Sequence, residues 1–200
     1  MKIDVVIIAT RRPDLLQKTL ESFSERLFPY FEINKAVVNI DPIWGGELDH
    51  GKVKNILSDN FDDLIIIEPK KPNFCRAVKS AWGHTTSNVV FHLEEDWIAL
   101  EDIKPQVITS NLNDVVTSLS LMNSYKNWNG KQVYHFKRCR PWCLPLKIED
   151  KSKPYFGTNP SFWNGGFMRE CADKLDVNFD PEKQFYSDVN YDLQNFVKNK

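Results

Sequence analysis

No segment of the chain approaches the roughly 18 uninterrupted apolar residues of a membrane-spanning helix, and the opening MKIDVVIIATRRP holds too short an apolar run for a secretory signal. A cytoplasmic protein is therefore the expectation. Charge of one sign is also missing: the formal net charge is −1 and the pI about 6.4, which argues against a protein that coats polyanions generally and leaves only local basic patches. Cysteine is sparse. Cys75, Cys139, Cys143 and Cys171 lack the density and spacing of a disulfide-stapled scaffold, so reduced thiols are the default. His135, Cys139 and Cys143 form an H-x3-C-x3-C pattern that Cys171 could complete as a zinc site. The usual C-x2-C knuckle is absent, and packed thiols are the plainer reading.

What is present points to one domain. With 200 residues, 42% of them apolar and 26% charged, the chain is long enough for one real core and reads as soluble and globular. Ile3 to Thr10 is a β-branched run suited to a parallel strand buried on both faces. Pro13 can open a helix with Leu16, Leu20, Phe23 and Leu27 on one face. Ala36 to Ile40 and Leu64 to Glu68 read as further strands with a short helix around Val53, Ile56 and Leu57 between them. Asn73 can cap a helix carrying Phe74, Ala77, Val78, Ala81 and Trp82, closed by Gly83, and Val89 to Leu93 follows as a fourth strand. Strands alternating with helices imply right-handed crossovers and a mostly parallel central sheet flanked by helices.

The second half is less regular. Val115 to Leu121 fits either a strand or a helical face. Val133 to Phe136 and Phe156 to Trp163 are expected strands, the latter broken at Asn159-Pro160 and ended by Gly165-Gly166; Phe167 to Leu175 and Asp188 to Val197 are expected helices.

Ligands of such sheets gather outside the carboxyl ends of the strands. Those ends carry Thr10 with Arg11 and Arg12, then Asp41, Glu68, and the acids Glu94, Glu95 and Asp96. Three adjacent carboxylates repel one another, and a cation is their natural counterpart. If the strand runs on through them, alternation turns Glu94 and Asp96 to one side and Glu95 to the other. A hard divalent ion on one or two carboxylates takes its other ligands from water and substrate phosphates, which suggests a nucleoside-diphosphate site. The plain alternative is a solvated acidic turn with Trp97 covering the core.

VVIIATRRPDLLQKTLESF, VVNIDP and PNFCRAVKSAWGHTTSNVVFHLEEDW together resemble the successive signatures of GT-A glycosyltransferases of the family 2 type. The likeness covers the first half of the chain. It implies a single GT-A-like, Rossmann-like α/β domain, with residues 1–100 binding a nucleotide sugar and 101–200 an acceptor, and an activity that moves a sugar from a donor such as a UDP-sugar to a hydroxyl. It further implies Mn2+ or Mg2+ on Asp96 and Glu94. By the same resemblance Thr10 and Arg11 line the nucleotide pocket, Asp41 accepts a hydrogen bond from the base, Arg76 faces the phosphates, and Glu94 and Glu95 lie on the donor side. Glu94 departs from the more common aspartate. Without the resemblance, Arg76 reads as a solvent-facing helix residue and Asp41 as an Asp-Pro turn.

NPSFWNGGFMRECADKL is similar to the family's acceptor-side strand and loop, which implies acceptor contacts at Trp163, Gly165 and Gly166. Trp163 could stack on a sugar or fill the core beside a turn. PEKQFYSDVNYDL resembles the region that supplies the catalytic base. It implies Asp188 in that role, with Glu182 and Asp192 behind it, although Asp188 would also serve as a helix N-cap. The basic, aromatic stretch VYHFKRCRPWCLPLK adds Arg138, Arg140 and Trp142 as acceptor contacts suited to a phosphate-bearing acceptor such as a lipid-linked carrier or modified DNA rather than a neutral glycan, or forms a solvated basic face; the acceptor itself, glycan, lipid-linked carrier or DNA, stays open. Two other functions stay open: a GT-A-like nucleotidyltransferase, for which ATRRPD lacks the glycines of a phosphate-cradling loop, and a noncatalytic carbohydrate or nucleic-acid binding module.

Overall fold

The computed structural model describes residues 1–121, 136–139 and 148–198. Its centre is a six-stranded sheet in the spatial order β3-β2-β1-β4-β8-β5. Strands β1 (Lys2–Ala9), β2 (Glu32–Ile40), β3 (Leu64–Ile67) and β4 (Val89–Glu94) are mutually parallel. β8 (Ser161–Asn164) runs antiparallel to β4, and the short β5 (Ser118–Ser120) antiparallel to β8. The α/β class and mostly parallel sheet expected from the sequence are present.

β1 is buried from Ile3 to Ala9 because both faces of the sheet are covered. Ile3, Val5 and Ile7 pack with α1 (Pro13–Arg26) and α2 (Glu47–Asn60) through Leu16, Leu20, Phe23, Val53 and Leu57. On the other face, Val6 and Ile8 meet α3 (Phe74–Gly83), α5 (Gly165–Lys174) and α6 (Tyr191–Val197) through Trp82, Met168, Cys171 and Leu193. This apolar double layer is the main source of stability. Among the described residues no helix is long and apolar enough to cross a membrane.

Several elements differ from expectation. α2 spans 14 residues, with Val53 and Leu57 its only buried side chains. The strand expected from Phe156 shrinks to Ser161–Asn164, because only these residues find partners on β4 and β5. Gly165-Gly166 does not end in a loop: Asn164 accepts from the Phe167 amide at 3.1 Å and starts α5 directly. α4 (Pro105–Asn111) and β7 (Ile148–Pro154) are not among the expected elements; β7 pairs antiparallel with β6 (Phe136–Cys139), which shares only Phe136 with the strand expected at Val133 to Phe136, whose residues 133–135 lie outside the described residues. The N-cap of α6 is Asn190, which accepts from the Leu193 amide at 3.1 Å; Asp188 is not the cap.

Candidate functional site

The strand order reverses between β1 and β4: β2 and β3 continue on one side of β1 and β4 on the other. A crevice at the carboxyl ends of these strands is the usual ligand position in such sheets. Here Ile8 pairs with Glu94, so the residues that follow β1 and β4 meet.

The pin of this junction is Glu95. It is 1% exposed and accepts from the Thr10 amide at 2.6 Å, from Arg12 Nε at 2.6 Å, and from the Thr10 hydroxyl. Its own carbonyl accepts from Thr19 Oγ1 at 2.6 Å on α1. Glu95 is indeed turned away from its neighbours, into the end of β1. Asp96 is left near the surface, with its Oδ2 3.4 Å from Arg12 Nη2.

Glu94 is the last residue of β4, and the strand does not run on through Glu95 and Asp96, which lie in a turn; Glu94 has partners of its own. Trp97 Nε1 donates to it at 3.1 Å and Thr158 Oγ1 at 3.2 Å. Burial pushes its carboxyl above the ordinary glutamate value; the Trp97 bond pulls it back, while the charges of Asp96 and Glu182 raise it further. Thr158 also links it to Glu182, whose Oε1 accepts from the Thr158 amide at 2.7 Å and from its hydroxyl at 2.9 Å. Thr158 thus brings Glu94 and Glu182 together, a placement that spacing alone did not reveal.

The two consecutive arginines part company. Arg12 serves the acids, whereas Arg11 turns to the loop after β2: its Nη2 lies 2.6 Å from Glu47 Oε1 and its amide donates to Ile43 O at 3.1 Å. Gly45 is required there, since a Cβ would collide with the Arg11 carbonyl. Asp41 is 5% exposed, and each of its oxygens already accepts from the chain: Oδ1 from Asn39 Nδ2 at 2.9 Å and Oδ2 from the Asn73 amide at 3.0 Å. Arg76 is exposed on the first turn of α3, and among the described residues its guanidinium has no hydrogen-bond partner.

On the acceptor side, Asp188 takes Lys153 Nζ on both oxygens, at 2.6 and 2.7 Å, with its backbone at φ 59°. Asp192 lies in the first turn of α6. Trp163 is fully buried, with its ring 4.8 Å from that of Trp82 and 5.3 Å from that of Phe156. It fills the core and offers no face to a sugar. Gly165 and Gly166 follow Asn164, which pairs with Val89 at the amino end of β4; they lie at the opposite end of the sheet from Glu94. Gly165 is needed because a Cβ would strike the Ser87 carbonyl. Arg138 is in β6 with its side chain outside the described part; Arg140, Trp142, His135 and Cys143 lie outside the described residues, as does the Cys139 side chain. Cys75 and Cys171 are buried thiols.

Among the described residues no group of three or more His, Cys, Asp or Glu side chains is placed to hold a metal ion. Asp96 and Glu94 nevertheless suit a hard divalent ion that draws its remaining ligands from a diphosphate and water. Burial is the main reason that Glu94 is raised, and the neighbouring charges of Asp96 and Glu182 add to it; a bound cation would offset that added charge.

The fold is similar to those of several solved proteins. The mannosyltransferase PcManGT from Pyrobaculum calidifontis, in complex with GDP-Man and Mn2+, superposes with a TM-score of 0.53 at 14% identity over 90% of this chain and 49% of its own. S. aureus TarS 1-349 in complex with UDP gives 0.52 at 16% identity over 98% and 54%. HddC from Yersinia pseudotuberculosis gives 0.51 at 13% over 93% and 86%. This chain spans about half the length of the first two. No family profile matches the chain, and no curated protein sequence is similar to it. The likeness establishes a GT-A-like fold.

Proposed function

We propose that this protein is a glycosyltransferase that takes a sugar from a nucleoside-diphosphate donor, with UDP-sugars the first choice, and passes it to a hydroxyl acceptor. The observation that carries this reading is the Thr10–Arg12–Glu95 lock, which presents Asp96 and Glu94 at the β1–β4 switch point. Support comes from the fold neighbours, one holding GDP-Man with Mn2+ and another UDP.

Asp96 is the proposed principal ligand of Mn2+ or Mg2+, with Glu94 beside it. The ion, when bound, offsets charge on the leaving diphosphate. Arg76, exposed at the start of α3, and the Arg12 guanidinium supply further positive charge for the phosphates. Proton removal from the acceptor hydroxyl needs a carboxylate with a free lone pair. Asp188 has both oxygens engaged by Lys153, whereas Glu182 accepts only through Oε1 among the described residues. Glu182 is therefore the proposed base, ahead of Asp188 and Asp192. The loop Thr10–Pro13 is held by side chains rather than by glycine amides, which favours sugar transfer over nucleotidyl transfer.

Thermal-shift screening of nucleotide sugars with and without Mn2+ tests the proposal, because a ligand bound only by the folded state raises apparent stability. A metal-dependent shift with one donor class is expected. The absence of any shift across uridine, guanosine and adenosine diphosphate sugars would contradict it.

A further inference from the structure

Asp41, the residue that the family resemblance assigns to the base, is nearly buried and holds Asn39 and the Asn73 amide instead. Yet the next turn of chain, Pro42 to Gly46, presents a feature that the fold does not use. Trp44 is 74% exposed and its backbone sits at φ 66°, a region that a bulky side chain enters only at a cost. Among the described residues its ring contacts no other ring. The turn is anchored beside Thr10, through the Arg11 amide on Ile43 O at 3.1 Å and the tight seat of Gly45 against Arg11.

Arg11 adds a second unexplained group. Its Nη2 is committed to Glu47, but its Nε is buried and without a partner among the described residues. The corner is unsuited to phosphate, since Glu47 and Asp49 occupy the first turn of α2 and the Gly46 amide already donates to Asp49 at 3.1 Å. A flat, neutral, hydrogen-bonding ring fits both observations.

We infer that Trp44 is the stacking platform for the donor's nucleobase and that Arg11 Nε is the donor that meets a base or ribose oxygen beside it, with Asp41 a buttress of the loop. This rests on the nucleotide-sugar reading above. Stacking on a side chain tolerates every base, so Trp44 sets affinity for nucleosides as a class, and Arg11 contributes any preference among them.

The test is calorimetry with Mn2+, using UDP, GDP and inorganic pyrophosphate as ligands, on wild-type protein, Trp44→Ala and Trp44→Phe, with thermal unfolding to confirm that each variant is folded. Trp44→Ala should weaken the nucleoside diphosphates by about 5- to 150-fold, Trp44→Phe by less, and neither should change pyrophosphate binding. Unchanged nucleotide affinity in Trp44→Ala, or an equal loss for pyrophosphate, overturns the stacking role while leaving the donor site intact. Wild-type protein that binds neither nucleotide overturns the donor reading and this inference with it.

Discussion

Arg12 reaches across from the end of β1 to Glu95 at the end of β4, Nε to Oε1 at 2.6 Å, and the same guanidinium extends Nη2 toward Asp96. One arginine therefore both closes the sheet's switch point and steadies the acid that is free to meet a ligand. Structure and chemistry divide between two adjacent carboxylates: Glu95 is inside, Asp96 outside.

This division predicts opposite phenotypes. Glu95→Ala leaves the Thr10 amide and Arg12 without their acceptor and should cost about 3 kcal/mol of stability. Asp96→Ala, at an exposed position, should change stability by less than about 0.5 kcal/mol. Urea unfolding of the two variants measures both, and equal losses would contradict the assignment.

How far the sequence disclosed this arrangement depends on what kind of information each part needed. β1 was legible because a strand buried on both faces must be apolar throughout, and the Asn73 cap because its side-chain oxygen accepts from the local Arg76 amide, at 2.8 Å. Alternation could not place the three acids, because β4 ends at Glu94, and Glu95 and Asp96 lie in the turn that follows. β8 was misjudged in length and Trp163 left undecided, because both depend on which strands lie alongside. The roles of Arg11 and Arg12 could not be told apart for a related reason: their partners, Glu47 and Glu95, are 36 and 83 positions away respectively. The proposed preference for Glu182 over Asp188 rests on the contacts of Thr158 and Lys153, neither of which leaves a local signature.

Glu94 should reveal itself through pH. Its folded-state pKa is raised, chiefly by burial, so its favourable contribution is full below the ordinary value of 4.5 and is lost as pH rises through the folded value. At neutral pH the ionised carboxylate costs stability. Glu94→Gln should therefore raise the melting temperature of metal-free protein at pH 7.5, by an increment that shrinks toward pH 4. An increment independent of pH would show that Glu94 is not strained by its charge.

His92 acts in the reverse sense. Burial lowers its pKa from 6.5 to about 3, and its Nδ1 must stay unprotonated to accept from Trp82 Nε1 at 3.0 Å. Between these values the unfolded chain takes up a proton that the folded one refuses, so stability falls as pH drops below 6.5, by up to about 1.4 kcal/mol per pH unit. His92→Asn, which keeps an acceptor near Nδ1, should flatten that slope in urea titrations between pH 4 and pH 6. A slope identical to wild type would contradict the buried, neutral imidazole.

The choice of base can be made before the acceptor is known, since the same carboxylate should activate water in slow hydrolysis of the donor. Glu182→Gln should reduce hydrolysis by about 100-fold or more and leave donor affinity unchanged. Asp188→Asn, which only releases Lys153, should reduce it less. The opposite ranking would return the role to Asp188.

The central claim, a metal-assisted diphosphate site on Asp96, is tested most directly by calorimetric titration of UDP and GDP into wild-type protein and Asp96→Asn, each with Mn2+ and with chelator. The account predicts that at least one nucleotide binds the wild type more tightly with Mn2+ and that Asp96→Asn removes the metal-dependent part while remaining folded. Identical nucleotide affinity in all four conditions, or no binding in any, would contradict it.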